Sequence, residues 1–241
     1  MSDELAAAAG EKIGNIGASF YFDPTTLARG KELGLGGFQF YVLGRGGVLG
    51  NVEPAVIQSA FGYFDGGMIA KIWDGAREVM DPREAGAHYM ECARVFGRDK
   101  FAAVDGLAGF CDAAETLIAN IHPGALALYA GTAAEPLCDD LPGRAMQLAV
   151  VLREYRGSAH LAAIIAEGLD PVRAHFLKRP DDYKTFGHAE DPAPGAESES
   201  AAHAAAEVRT NAMCGQVFGC LSQTQADAIT AGLDAMAEAL A

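Results

Sequence analysis

The densest set of side chains able to do chemistry lies between Arg144 and Leu177, in RAMQLAVVLREYRGSAHLAAIIAEGLDPVRAHFL. Arg153, Arg156 and His160 stand there at i, i+3 and i+7. At about 100° per residue they share one strip of a helix, and Gln147, Glu154 and Ser158 share a narrower one roughly 100–160° away. Apolar Leu148, Leu152, Ala159 and Ala162, with Tyr155, take most of the remaining circumference. The Gln147/Glu154/Ser158 strip is therefore expected to face solvent and the Arg/His strip to point partly inward. Two inward guanidiniums need a carboxylate from elsewhere in the chain or an anionic ligand, because an unpaired buried charge is costly. The first alternative is an ion-pair network bracing the core. The second is a binding site in which arginine forks hold a carboxylate or phosphate and His160 tunes or transfers a proton.

Other residues could join that site. Arg45 sits in GGFQFYVLGRGGVLG, Gly36 to Gly50, where a fully charged side chain is held beside an apolar wall. Phe38, Phe40, Tyr41, Phe61, Tyr63, Phe64 and Trp73 concentrate aromatic rings in the first third, either as plain core or as the wall of an apolar pocket. The candidate ligand-binding residues are Arg45, Arg153, Arg156, His160, Tyr155, Tyr41 and Phe61. If chemistry is catalysed at all, His160 or His175 is the candidate general acid/base, with Arg45 and Arg156 holding a substrate anion. No Ser/His/Asp order, nucleotide fingerprint or metal motif supports this, so the catalytic residues and any cofactor stay unknown. His88 and Glu91, three apart, read as a local hydrogen bond rather than metal ligands. Gly157 inside a helix costs about 1 kcal/mol relative to Ala, which points to close approach by another backbone, a ligand or a kink.

Those residues must be positioned by helices, since no strand alternation persists beyond a few residues. Asp23-Pro24, Asp81-Pro82 and Asp170-Pro171 each pair a cap with proline at the first turn, and Asn51-Val-Glu-Pro54 is a further start signal. Ser2 to Ala9 can start a short helix that frays, and Gly44 to Gly47 reads as a tight loop whose glycines supply positive φ and close packing. The expected class is all-α, a multi-helix bundle with a C-terminal helical arm. A core domain over 1–178 is expected, an acidic Pro/Ser-rich linker over 179–203, and an arm over 204–241 that packs on the body or across a homodimer.

Composition narrows the partners. Half of the 241 residues are apolar, enough for a large core, and the formal charge is −14 with no clustered basic face. This field disfavours nucleic acid as a partner. Five cysteines without CxxC pairing suggest a reducing compartment. No run of 18 apolar residues and no signal-type N-terminus is present, so a cytoplasmic protein with no membrane partner is expected.

Four segments carry a resemblance: FYFDP (Phe20 to Pro24), LGLGGFQFYVLGRGGVLG (Leu33 to Gly50), SAFGYF (Ser59 to Phe64) and LREYRGSAHLAAIIAEGLDPVRAHFL (Leu152 to Leu177). Over most of residues 12 to 177 the chain resembles a family common in actinobacteria and labelled helix-turn-helix or MarR-like, sometimes SalR-type. The resemblance implies a fold derived from winged-helix-like halves and a regulatory role. Family members more often carry His at the position of Tyr155 and Asp at that of Ser158. VRTN, Val208 to Asn211, resembles the motif that follows their wing, yet only the acidic stretch separates it from Leu177, so the groove-reading helix and wing are missing from this pattern. The reading is a regulator-like helical protein that binds a small anionic or aromatic metabolite. The alternatives are an enzyme and a DNA-binding regulator.

Overall fold

The computed structural model describes residues 2–190 and 195–241. Among them are twelve α-helices, two short 3-10 turns and no strand. The chain begins with α1 (Ser2–Ala18), α2 (Pro24–Glu32), α3 (Gly37–Gly46) and α4 (Pro54–Phe61). It continues with α5 (Gly66–Arg77), α6 (Pro82–Lys100), α7 (Leu107–Asn120) and α8 (Ala127–Ala133). It ends with α9 (Leu141–Ala166), α10 (Pro171–Lys178), α11 (Glu197–Phe218) and α12 (Gln223–Ala239). No described helix is long and apolar enough to cross a membrane.

The proline-marked starts form as their chemistry dictates. The Asp23, Asp81 and Asp170 carboxylates each accept a backbone N–H from the first turn of α2, α6 and α10, satisfying donors that have no partner inside the helix. Asp65 and Asp140 do the same for α5 and α9.

The longest helix, α9, is the axis of the molecule: α1, α6, α7, α8 and α11 all pack against it. This overturns the solvent-face assignment on α9. Gln147 is completely buried and Glu154 is only 2% exposed. Gln147 accepts from Arg94 Nε at 2.9 Å and donates to the Pro136 carbonyl at 2.9 Å, so its burial is compensated. The expected core residues Phe40, Tyr41, Phe61, Phe64, Trp73, Leu148, Leu152 and Ala159 are buried in one cluster, with Phe38 half-buried against it. Ile164 is also buried, but in a second, smaller cluster where α9, α10 and α11 meet.

Three local expectations change. The first helix does not stop near Ala9 but runs to Ala18, because its small residues let it lie directly on α9. A Cβ at Gly17 would stand 2.7 Å from the Arg153 Cβ and 2.8 Å from the Ala149 carbonyl oxygen. Gly44 to Gly46 are helical and Gly47 to Leu49 form a 3-10 turn, so positive φ is not their reason; it occurs instead at Gly50. Gly47 is required by contact, since a Cβ there would fall 1.9 Å from the Pro82 oxygen.

The third change concerns the acidic stretch. It gives way to α11 at Glu197, and Phe186 within it stacks on Phe64 with ring centroids 4.2 Å apart. His188 Nε2 lies 3.0 Å from the Tyr63 carbonyl. Residues 191–194 of the expected linker lie outside the described residues. Both C-terminal helices pack on this same chain, α11 along α1 and α9, α12 along α7 and α1.

Candidate functional site

Glu154 is the hub of the buried charge. Its carboxylate accepts two hydrogen bonds from Arg45, Nε and Nη2 each at 2.8 Å, one from Arg153 Nη1 at 2.9 Å and one from the Tyr21 hydroxyl at 3.0 Å. The forked approach of Arg45 is the strong geometry for a guanidinium on a carboxylate. The Arg45 guanidinium also lies 4.4 Å from the Phe61 ring centre, and Arg153 lies 4.8 Å from that of Tyr21. These stacks cover the cation faces that cannot donate hydrogen bonds. Burial by itself would raise the Glu154 carboxyl, yet the Arg45 and Arg153 charges hold it down to about 2.

The partner expected from elsewhere in the chain exists for Arg156. Its Nη2 donates to Glu207 at 3.1 Å and to Asn211 at 3.3 Å, both on α11. Further along, His160 Nδ1 lies 2.9 Å from the Thr210 hydroxyl, and Arg209 pairs with Glu167. Tyr155 donates to the Met213 carbonyl at 3.3 Å. Residues from Tyr155 to Glu167 thus meet α11 between Glu207 and Met213, with their polar groups along one seam.

Two connected cavities open beside this seam. The inner one, about 240 Å³, has an aromatic wall of Tyr41, Phe61, Tyr63, Phe64 and Phe186. The outer one, about 910 Å³, is a groove floored by α1. Arg153, Arg156, Gly157 and His160 line both. So do Lys178, Arg179, His203 and Glu207. Gly157 thus owes its place to open space rather than to a close neighbour: no atom lies within 4 Å of a Cβ built there.

Of the residues expected at a site, Arg45, Tyr41, Phe61, Arg153, Arg156, His160 and His175 all line the inner cavity. Tyr155 does not; it is buried beside Tyr129 and α11, so the helix turns it away from the cavity. Sequence reasoning missed Lys178, Arg179, His203 and Glu207. The i, i+4 spacing of His203 and Glu207 was visible, but nothing local said which helix they would face.

The inner cavity carries five cationic side chains, Arg45, Arg153, Arg156, Lys178 and Arg179, against the two carboxylates Glu154 and Glu207. Lys178 and Arg179 have no ion-pair partner among the described residues. In a chain of net charge −14 this is a local inversion of sign. Burial lowers His160 and His175 to about 4 each, so both imidazoles are neutral at pH 7. A base with so low a conjugate-acid pKa removes protons weakly at neutral pH. The His175 ring packs on Phe186 at 3.9 Å, and its buried Nε2 has no hydrogen-bond partner among the described residues.

A family model described as a helix-turn-helix family matches residues 6–191, roughly three quarters of the chain, from within α1 to beyond α10. No curated protein and no solved structure matches. The inner cavity is built mostly from matched residues, whereas His203, Glu207 and Thr210 lie beyond them. By the extent of that match, the chain belongs to the helix-turn-helix family.

Proposed function

We propose that this chain is a regulator-like binding protein whose inner cavity takes a small anion bearing an aromatic or planar apolar part. The observation that carries the reading is the cation surplus of the cavity within a strongly acidic chain. Glu154 neutralises one of its two guanidiniums, and Lys178 and Arg179 remain at the rim to complete the recognition of a carboxylate or phosphate. The aromatic wall offers stacking and apolar area at little cost in side-chain entropy.

Thermal melts with aromatic carboxylates and phosphates, compared with their neutral amides, test this. The anions should raise the melting temperature and the amides should not. Each charge-assisted hydrogen bond contributes about 1.5–3 kcal/mol, so Lys178→Glu and Arg179→Glu should each weaken binding at least about tenfold. Gly157→Leu, which enters open space, should block binding while leaving the fold intact. Equal binding of the amides, or unchanged affinity in both charge reversals, would overturn the proposal.

Membership of a helix-turn-helix family favours a second reading, a regulator that binds DNA. The described residues contain no strand pair for a wing, and the overall field repels phosphate backbones. Binding to duplex DNA at physiological salt should therefore be no tighter than about 10⁻⁴–10⁻⁶ M. A mobility shift at nanomolar protein on a defined operator would restore the DNA reading.

A further inference from the structure

Where the two cavities join, α9 and α11 bring His160, His203 and Glu207 together, one nitrogen or oxygen from each lying within 4.8 Å of the others. His203 and Glu207 are four residues apart on α11 and therefore share a face. The imidazoles of His160 and His203 meet edge to face with centroids 6.1 Å apart.

Thr210 decides which nitrogen of His160 is free. Its hydroxyl donates its one proton to the Ala206 carbonyl at 2.7 Å, so at 2.9 Å from His160 Nδ1 it can only accept. Nδ1 then carries the ring proton and Nε2 presents a lone pair. That lone pair faces Glu207 Oε1 at 3.7 Å, too far for a hydrogen bond and with no proton between them. Two electron-pair donors held face to face, with a third from His203 beside them, match the needs of a cation that accepts electron pairs. Arg156 holds the other oxygen, Oε2, at 3.1 Å, which orients the carboxylate and leaves Oε1 available. The positive side chains lining the same cavities as the cluster are Arg153, Arg156, Lys178 and Arg179, and they weaken its affinity for a cation; Arg153 is paired with Glu154 and Arg156 with Glu207.

We propose that His160, His203 and Glu207 form a binding site for a divalent transition-metal ion such as Zn²⁺, Co²⁺ or Fe²⁺, with Thr210 fixing the tautomer of the His160 ligand. Two imidazoles and one carboxylate on one side of the ion are the donor set of sites that keep positions open for an exchangeable ligand. The hydrogen bond from the far ring nitrogen to Thr210 is the outer support that ligating histidines require. This assignment does not rest on the anion reading, because it uses the seam residues of α11 and a different probe.

The test is metal titration of the chelator-stripped full chain. Co²⁺ should bind one per chain with visible ligand-field bands, and Zn²⁺ should displace it. Pulsed EPR of the Cu²⁺ form of the unmodified chain should count two coordinated imidazoles, a readout that needs no variant. His203→Ala should abolish the stoichiometric site, Thr210→Val should weaken it by about 10–100-fold, and His122→Ala, at an exposed position outside the seam, should leave it unchanged. Absence of saturable binding, fewer than two imidazoles on Cu²⁺, or unchanged affinity in His203→Ala overturns the assignment. Anion binding measured without metal is a separate outcome, so either proposal can fail alone.

Discussion

Replacing Glu154 by Gln preserves its shape and removes its charge, and the structure allows the consequence to be worked out. Glu154 is 2% exposed and Arg45 13%, so neither group can fall back on bulk water without a change in packing. One carboxylate there serves two guanidiniums and a phenol, and its loss leaves two cations with no counter-charge in contact. Breaking a buried ion pair from one side costs about 3–5 kcal/mol. The Arg153 side chain is 24% exposed and recovers some hydration, which favours the lower part of that range. For a chain of this size 1 kcal/mol corresponds to about 2–4 °C, so the melting temperature of Glu154→Gln should fall by roughly 6–20 °C. The double variant Glu154→Gln with Arg45→Met removes one stranded charge and should recover part of the loss. Calorimetry with and without a small anion adds a sharper readout: an anion that enters beside the two arginines should stabilise Glu154→Gln more than the unmodified chain. A drop under about 2 °C for the single variant would refute the claim that Glu154 is the buried hub.

Acid should weaken the fold in two steps. His160 and His175 each bind a proton near the ordinary 6.5 when unfolded and only near 4 when folded, so the unfolded chain holds more protons between those values and stability falls as pH drops through that window. Glu154, depressed from 4.5 to about 2, contributes stability above 4.5 that is lost as pH falls towards 2. Melts from pH 8 to pH 3 check both, and His175→Phe should reduce the upper step to the share left by His160; an unchanged upper step would remove His175 as a contributor. A matched pair on α1 tests the helix packing: a Cβ at Gly14 meets open space, whereas one at Gly17 meets the Arg153 Cβ and the Ala149 carbonyl. Gly14→Ala should therefore stabilise by up to about 1 kcal/mol, and Gly17→Ala should destabilise by about 1–3 kcal/mol. Equal effects in urea melts would show that α1 does not dock on α9 as described.

Much was legible in the sequence because it depends on chemistry within a few residues. The Asp-Pro starts at 23, 81 and 170 needed only a short carboxylate and a proline, and each cap forms as read. The aromatic concentration of the first third became core, and six of the seven residues assigned to binding line one cavity. The turn-by-turn phase of the Arg153/Arg156/His160 strip was correct, since it is fixed by helix geometry alone.

What the sequence could not decide was which side of that helix meets water. Amphipathic reading assumes one solvated face, and over most of its length α9 has none, being enclosed by α1, α6, α7, α8 and α11. Glu154, placed towards solvent by its neighbours on the strip, became the buried partner of Arg45 and Arg153 because α3 and the turn after α1, which carries Tyr21, close over it. Nor could spacing reveal that His203 and Glu207 would face His160, more than forty residues earlier. Helical periodicity fixes the angles between side chains on one element. Only the docking of α11 on α9 sets which of those side chains share a site.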